Sequence, residues 1–351
     1  MSRNGFQVNR FIVSLCLAAA AAVGVYGQAT PAPKTPKKPA TRVEAPLPTE
    51  PPEMPEREMP ARGISEKAIA VDGNVNIKLP CIAQAKVTIN GWERNEIRVF
   101  VKNGSKIAFR VHEKDPTSGK PVWVLITNMV SDRPGPPVSD CLYGERIEID
   151  VPIKASLSIS GREANTKVDS VRKIYIQNVD GDVALRNISG GITASTYQGN
   201  VVVENSGGQI SLETTTGNIV AYEVSSGQIG DTFKAKTNSG AITLQKVDHR
   251  QIDSNSVSGS VSFNGKFLSG GLYNFKTSKG SIKLAIPADS SCKIIAWYGF
   301  GTFRPASPFP FKILTQNVSE GGKSLVGIMG AGDATVNLTT SSGSITVGKQ
   351  Q

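Results

Sequence analysis

From Gly181 to Ser226 the chain reads GDVALRNISGGITASTYQGNVVVENSGGQISLETTTGNIVAYEVSS, and glycine recurs every nine residues, at 181, 190, 199, 208 and 217. Two places after each glycine stands Val183, Ile192, Val201, Ile210 or Ile219, and two further on Leu185, Ala194, Val203, Leu212 or Ala221. Apolar residues two apart share one face of a strand, so each unit reads as a short strand with an inward face. The glycine, often beside Asn, Asp, Ser or Gln, supplies the tight turn to the next strand. One such strand cannot bury itself, whereas stacked copies share a continuous core. The stretch predicts an all-β chain built on a parallel β-solenoid, right-handed by the general rule for parallel crossovers. A period of nine fits coils of 18 or 27 residues, and so two or three strands per coil.

The same phrase spreads in both directions. Arg172-Lys-Ile-Tyr-Ile176 precedes it, and Gly227-Gln-Ile229, Gly240-Ala-Ile-Thr-Leu244, Gly259-Ser-Val-Ser-Phe263, Gly270-Gly-Leu-Tyr-Asn-Phe275, Gly280-Ser-Ile-Lys-Leu284 and Gly343-Ser-Ile-Thr-Val347 follow. Residues 64–152 read as a smaller β module, with Asn90-Gly91 and Asn103-Gly104 as turns between its strands. Residues 153–349 read as the solenoid with a C-terminal cap. Between Trp297 and Phe311 fall six of the chain's 22 aromatic residues. Two readings of them stand. An open solenoid end exposes core and strand edges, so the segment serves as a cap or folded-over loop. Alternatively Trp297, Tyr298, Phe300, Phe303 and Arg304 form a surface that stacks on sugar rings or packs on a partner.

The N-terminus reads as a secretory signal over residues 1–27: Arg3 and Arg10, then the apolar run Phe11 to Val25, then small residues before Gln28. About 15 apolar residues fall short of the roughly 20 that span a bilayer. Cys16 sits inside that run behind Leu15, which is too large for a lipobox. Residues 28–63 read as a disordered linker; ten prolines lie between Thr30 and Arg62, with almost no large apolar side chains. Removing the signal lowers the formal charge from +10 to +8, because Arg3 and Arg10 leave with it. A basic exported protein suits acidic polysaccharide or anionic headgroups, although a solvated Lys-rich surface has the same charge. No nucleic-acid signature accompanies it. Of Cys81, Cys141 and Cys292, the reading pairs Cys81 with Cys141, which flank one module in an oxidising compartment.

Chemistry-bearing motifs fail on inspection. Gly321-Gly-Lys-Ser324 lacks the first glycine of a phosphate loop, where Asn317 stands. A calcium-binding nonapeptide needs Asp at its sixth position, which here holds Arg186, Ser195, Glu204, Glu213 and Tyr222. A β-helical polysaccharide lyase or hydrolase needs clustered carboxylates. The densest group is Asp169, Asp180 and Asp182 with Arg172 and Lys173 nearby, and Asp180-Gly-Asp182 is more simply a turn. His112 and His249 lie in different modules. No catalytic residue, metal or cofactor is expected.

Several stretches together resemble the DUF4097 family, exported bacterial β-repeat proteins related to the auto-transporter-adhesin head GIN group. They are Lys86-Val-Thr-Ile-Asn-Gly-Trp-Glu-Arg-Asn-Glu-Ile-Arg-Val99, which is similar to an opening hairpin; Ile149-Asp-Val-Pro152 and Leu284-Ala-Ile-Pro287; the repeated Ser/Thr-Ser-Gly-x-Ile units; and Gly330-Ala-Gly332 with Ala334 to Ile345. The likeness covers about residues 64–348. It implies a β-solenoid and an adhesin-type role, and it brings no catalytic residues. The expected function is an exported, non-enzymatic adhesin-like protein contacting glycan or protein. Hydroxyls of Thr214 to Thr216, Ser225-Ser226 and Thr339 to Ser342 would present its face. A periplasmic envelope-stress or signalling accessory is one alternative, and a polysaccharide lyase or hydrolase another. The address is the cell surface, the outer membrane, the periplasm or the medium.

Overall fold

The computed structural model describes residues 63–129, 140–306 and 310–350. Residues 1–62, where the signal segment with Cys16 and the linker are expected, and residues 130–139 around Pro137 lie outside them. The described residues belong to one unit, 57–351, and among them are 25 strands and no helix.

The nine-residue unit is half a coil. In β8 (Lys173–Asp180), β10 (Ile192–Gln198) and β12 (Ile210–Thr216), Ile174, Ile192 and Ile210 are parallel register partners. In β9 (Val183–Arg186), β11 (Val201–Glu204) and β13 (Ile219–Ser225), Val183, Val201 and Ile219 align likewise. Each coil therefore has 18 residues and two strands, one on each face of the solenoid. Both alternating apolar columns point inward and are buried. Large and small residues share the volume of three successive coils: Leu212 with Ala221, Ala235 with Leu244, Ser254 with Phe263.

Later coils are longer. β14 (Thr232–Ser239) sets Phe233 against Ile210, so five residues are added to the turn before it. Gly227-Gln-Ile229, expected as a repeat unit, is that insertion. Ile229 is 99% exposed, and the inward position is taken by Phe233. The stack continues through β15 (Ile242–Asp248), β16 (Gln251–Ser258), β17 (Val261–Asn264), β18 (Leu272–Lys279) and β19 (Ile282–Ile286).

Chain order and stacking order then part. The coil next to β18 and β19 is the last in sequence, β24 (Ala334–Ser342) with β25 (Ser344–Lys349). Beyond it lies the earlier coil, β20 (Cys292–Tyr298) with β21 (Thr302–Pro305). The hairpin of β22 (Lys312–Ser319) and β23 (Gly322–Met329) closes one face antiparallel to β20.

At the other end, β2 (Asn76–Trp92) and β7 (Ser156–Asp169) are long enough to bend from one face to the other. The first half of β2 lies between that of β7 and β5 (Pro121–Asn128), which β4 (Ile107–Lys114) flanks antiparallel. The second half of β2 pairs with β6 (Arg146–Pro152), followed outward by β3 (Glu96–Lys102) and β1 (Ser65–Ala70). The ladder is continuous across residue 152, through β6 and β7 on either side of β2. Two local expectations are corrected. Residues 86–99 do not form a hairpin, because β6 lies between β2 and β3. Asn90-Gly91 is not a turn but part of β2, where a Cβ on Gly91 would collide with the Ser170 carbonyl. Asn103 does turn, with φ of 52°. Cys81 and Cys141 are joined by a disulfide, and Cys292 is a buried free thiol whose pKa burial pushes up to about 11.

Candidate functional site

The repeated hydroxyls are not all surface groups. Thr214 is buried and donates to the Gly199 carbonyl at 2.9 Å; Thr237 does the same to Gly217 at 3.0 Å, Ser256 to Gly240 at 2.9 Å, Thr277 to Gly259 at 2.8 Å and Thr340 to Gly280 at 2.9 Å. Each ties one coil to the turn of the preceding coil. The expected hydroxyl face loses Thr214 and Thr340 for that reason, while Thr216, Ser225, Ser226, Ser341 and Ser342 remain exposed.

The acidic group is similarly engaged in architecture. Asp169 binds Ser170, Arg186 and Asn187; its partial burial opposes ionisation, but these hydrogen bonds hold its carboxyl below the usual range. Asp182 accepts from the backbone N–H and side-chain amide of Asn200 across the turn. Asp180 lines a groove of about 590 Å³ with Glu145, Glu163, Lys86 and Tyr143. Among the described residues no group of His, Cys, Asp and Glu has the arrangement of a metal site.

The aromatic segment divides. Tyr298 is buried, and Phe303 packs against the core in ring contact with Tyr298 and Phe311. Phe311 in turn lies against Gly327 of β23, so these rings cap the stack. Trp297 is 38% exposed with its ring across Gly322, Arg304 is exposed, and Phe300 is 90% exposed at a turn. The structure thus does not bring the five together on one surface.

A different pair of rings is brought together. On the outer face, Trp123 of β5 is opposite Asn76 of β2, Asn76 is opposite Ser156 of β7, and Ser156 is opposite Lys173 of β8. One column along, Lys78, Ser158 and Tyr175 align. Trp123 and Tyr175 are each 41% exposed and flank a trough of about 430 Å³ with Asn76, Lys78, Ser156, Ser158 and Lys173. Three strand spacings set the rings about 14 Å apart across the ladder. His112 of β4 lies against Trp123, ring centroids 5.2 Å apart. The floor is a hydrogen-bonded parallel ladder, so the rings are held on a rigid surface.

Sequence reading missed this pair for an identifiable reason. Trp123 sits in the unbroken apolar run Val122 to Ile126, which hides its direction. Tyr175 was legible: Ile174 and Ile176 both point inward, so the residue between them points out.

His249 is fully buried. Its Nε2–H donates to the Gly208 carbonyl at 2.9 Å, and Nδ1 has no partner. Burial lowers its pKa, and the Gly208 bond and the carboxylates of Asp231 and Asp248 only partly oppose that. The folded chain therefore holds the neutral ring. Its contribution is fully present above the unfolded value of about 6.5 and is lost as pH falls below it. Urea midpoints should drop between pH 7 and pH 5, and less so in His249→Phe. Equal slopes would show that the ring does not set the acid limit.

Comparison with known proteins gives a family and little else. The family described as Toastrack DUF4097 matches over residues 65–348. A search of curated proteins gives no match. Among solved structures, a chain from Clostridium sporogenes, provisionally described as a cell adhesion protein, is 13% identical, covering 82% of this chain and 100% of its own, with a TM-score of 0.26. That likeness is too slight to bear on function.

Proposed function

The chain belongs to the Toastrack DUF4097 family, and from that premise we propose that it is an exported, non-enzymatic contact protein that grips surface glycan through the Trp123–Tyr175 trough. The observation that carries the reading is the pair of half-exposed rings across a floor of Asn76, Ser156 and Ser158. Aromatic rings stack on the apolar faces of sugars, and short polar side chains between them meet hydroxyls. A preformed ladder also avoids the ordering cost that a loop-built site would meet on binding. The absence of a catalytic role is supported by Asp169 and Asp182, whose carboxylates are engaged in turns.

The test is polysaccharide binding by the purified chain and by Trp123→Ala/Tyr175→Ala. The double variant should bind about tenfold more weakly, from about 0.5–1.5 kcal/mol per ring beyond area burial. Its urea midpoint should stay near that of the parent, because both rings stand outside the core. Equal affinity of the two proteins would remove the trough. The address has its own assay: protease shaving of intact cells should remove the C-terminal repeat if the solenoid faces outward. Protection until the envelope is opened would turn the search to periplasmic partners.

A further inference from the structure

The charge of the same trough is one-sided. Lys78 and Lys173 stand on its floor, one beside each ring's column, and none of its lining residues is acidic. Among the described residues neither ammonium has an ion-pair partner, although seven other basic residues do, from Arg98 to Lys266. Glu113, opposite Trp123 on β4, lies outside the lining. The groove at the bend of β2 has the reverse character: Glu145, Glu163 and Asp180 line it beside Lys86. It would repel the polymer that the trough attracts.

Resting on the glycan reading above, we infer that the trough selects uronic-acid-containing polysaccharide over neutral polysaccharide, with Lys78 and Lys173 meeting carboxylates while Trp123 and Tyr175 stack on the rings that carry them. The geometry suits a polymer better than a single sugar. Lys78 and Tyr175 lie on one column of the ladder, Lys173 and Trp123 on the next, so each column carries one cation and one ring across β5, β2, β7 and β8. Beyond β8 the first of these columns continues through Thr193 and Ser211 to Lys234. Hydroxyls and one more cation thus extend the track along the solenoid axis.

The experiment compares polygalacturonate with its fully methyl-esterified form, which keeps the sugar backbone and loses the charge. The parent chain should prefer the acid form by about fivefold or more at low salt, and the preference should shrink as salt screens it. Lys78→Gln/Lys173→Gln should weaken binding of the acid form much more than binding of the ester, and so remove the preference. Trp123→Ala/Tyr175→Ala should weaken both forms together. Equal binding of the two polymers, or a preference that survives the lysine changes, overturns the inference and leaves the glycan reading standing. Failure of the parent to bind either polymer overturns the inference, and insensitivity of all sugar binding to the ring variant overturns the glycan reading itself. Circular dichroism and the urea midpoint of each variant show that the fold is intact.

Discussion

Gly217→Ala should cost roughly 3 kcal/mol or more, enough to lower the urea midpoint far below that of any surface variant. Gly217 has φ of 151°, a conformation that an L side chain rarely adopts. A Cβ there would also collide with the Gly199 carbonyl oxygen, and one on Gly240 would meet the Gly217 carbonyl in the same way. The turns stack so closely that each glycine rests on the one before. That Gly199 oxygen is also the acceptor for Thr214, so displacing it leaves a buried hydroxyl without its partner. Gly230→Ala separates the two causes. Gly230 has φ of 98° but open space around it. Its substitution should show the conformational penalty alone, about 1–2 kcal/mol. If the two variants lose the same stability, the stacked column is not what holds the turns.

Replacing both Cys81 and Cys141 by alanine should cost about 4 kcal/mol, the loop-closure value for a bridge spanning 60 residues. Cys81 lies at the bend of β2, and Leu142 donates to its carbonyl while Ala83 donates to that of Leu142. The covalent link and this short ladder hold the return segment at the corner between the two faces. Reductant should lower the parent's urea midpoint to that of the double variant and leave the variant unmoved. A parent insensitive to reductant would show that the bridge adds nothing once the stack is formed. Cys292, buried with its thiol pKa pushed up, should stay unreactive in both proteins until unfolding.

How much was legible depended on whether the signal was local. Alternation in Lys173-Ile-Tyr-Ile176 and its successors is a property of one strand, and it assigned the inward columns correctly from Ile174 to Ala221 and again at Ile242, Leu244, Val261, Phe263, Ile282, Leu284, Ile345 and Val347. The Gly227 phrase failed because its composition matches the repeat while an inserted turn takes Ile229 out to solvent. Thr214 failed differently. A hydroxyl can solvate a turn or bind a carbonyl, and only the carbonyl of the preceding coil decides which.

By itself the sequence determined the β class, the nine-residue strand-and-turn unit, most inward side chains and the glycine turns. These follow from alternation and from φ, which act within a few residues of one another. Only the tertiary structure decided that two strands close a coil and that the last coil in the chain inserts before the aromatic one. It alone set Trp123 and Tyr175 on one trough. Such choices depend on which strands become neighbours, and that is settled by close packing between segments up to 80 residues apart, as the ladder partners Asn76 and Ser156 are.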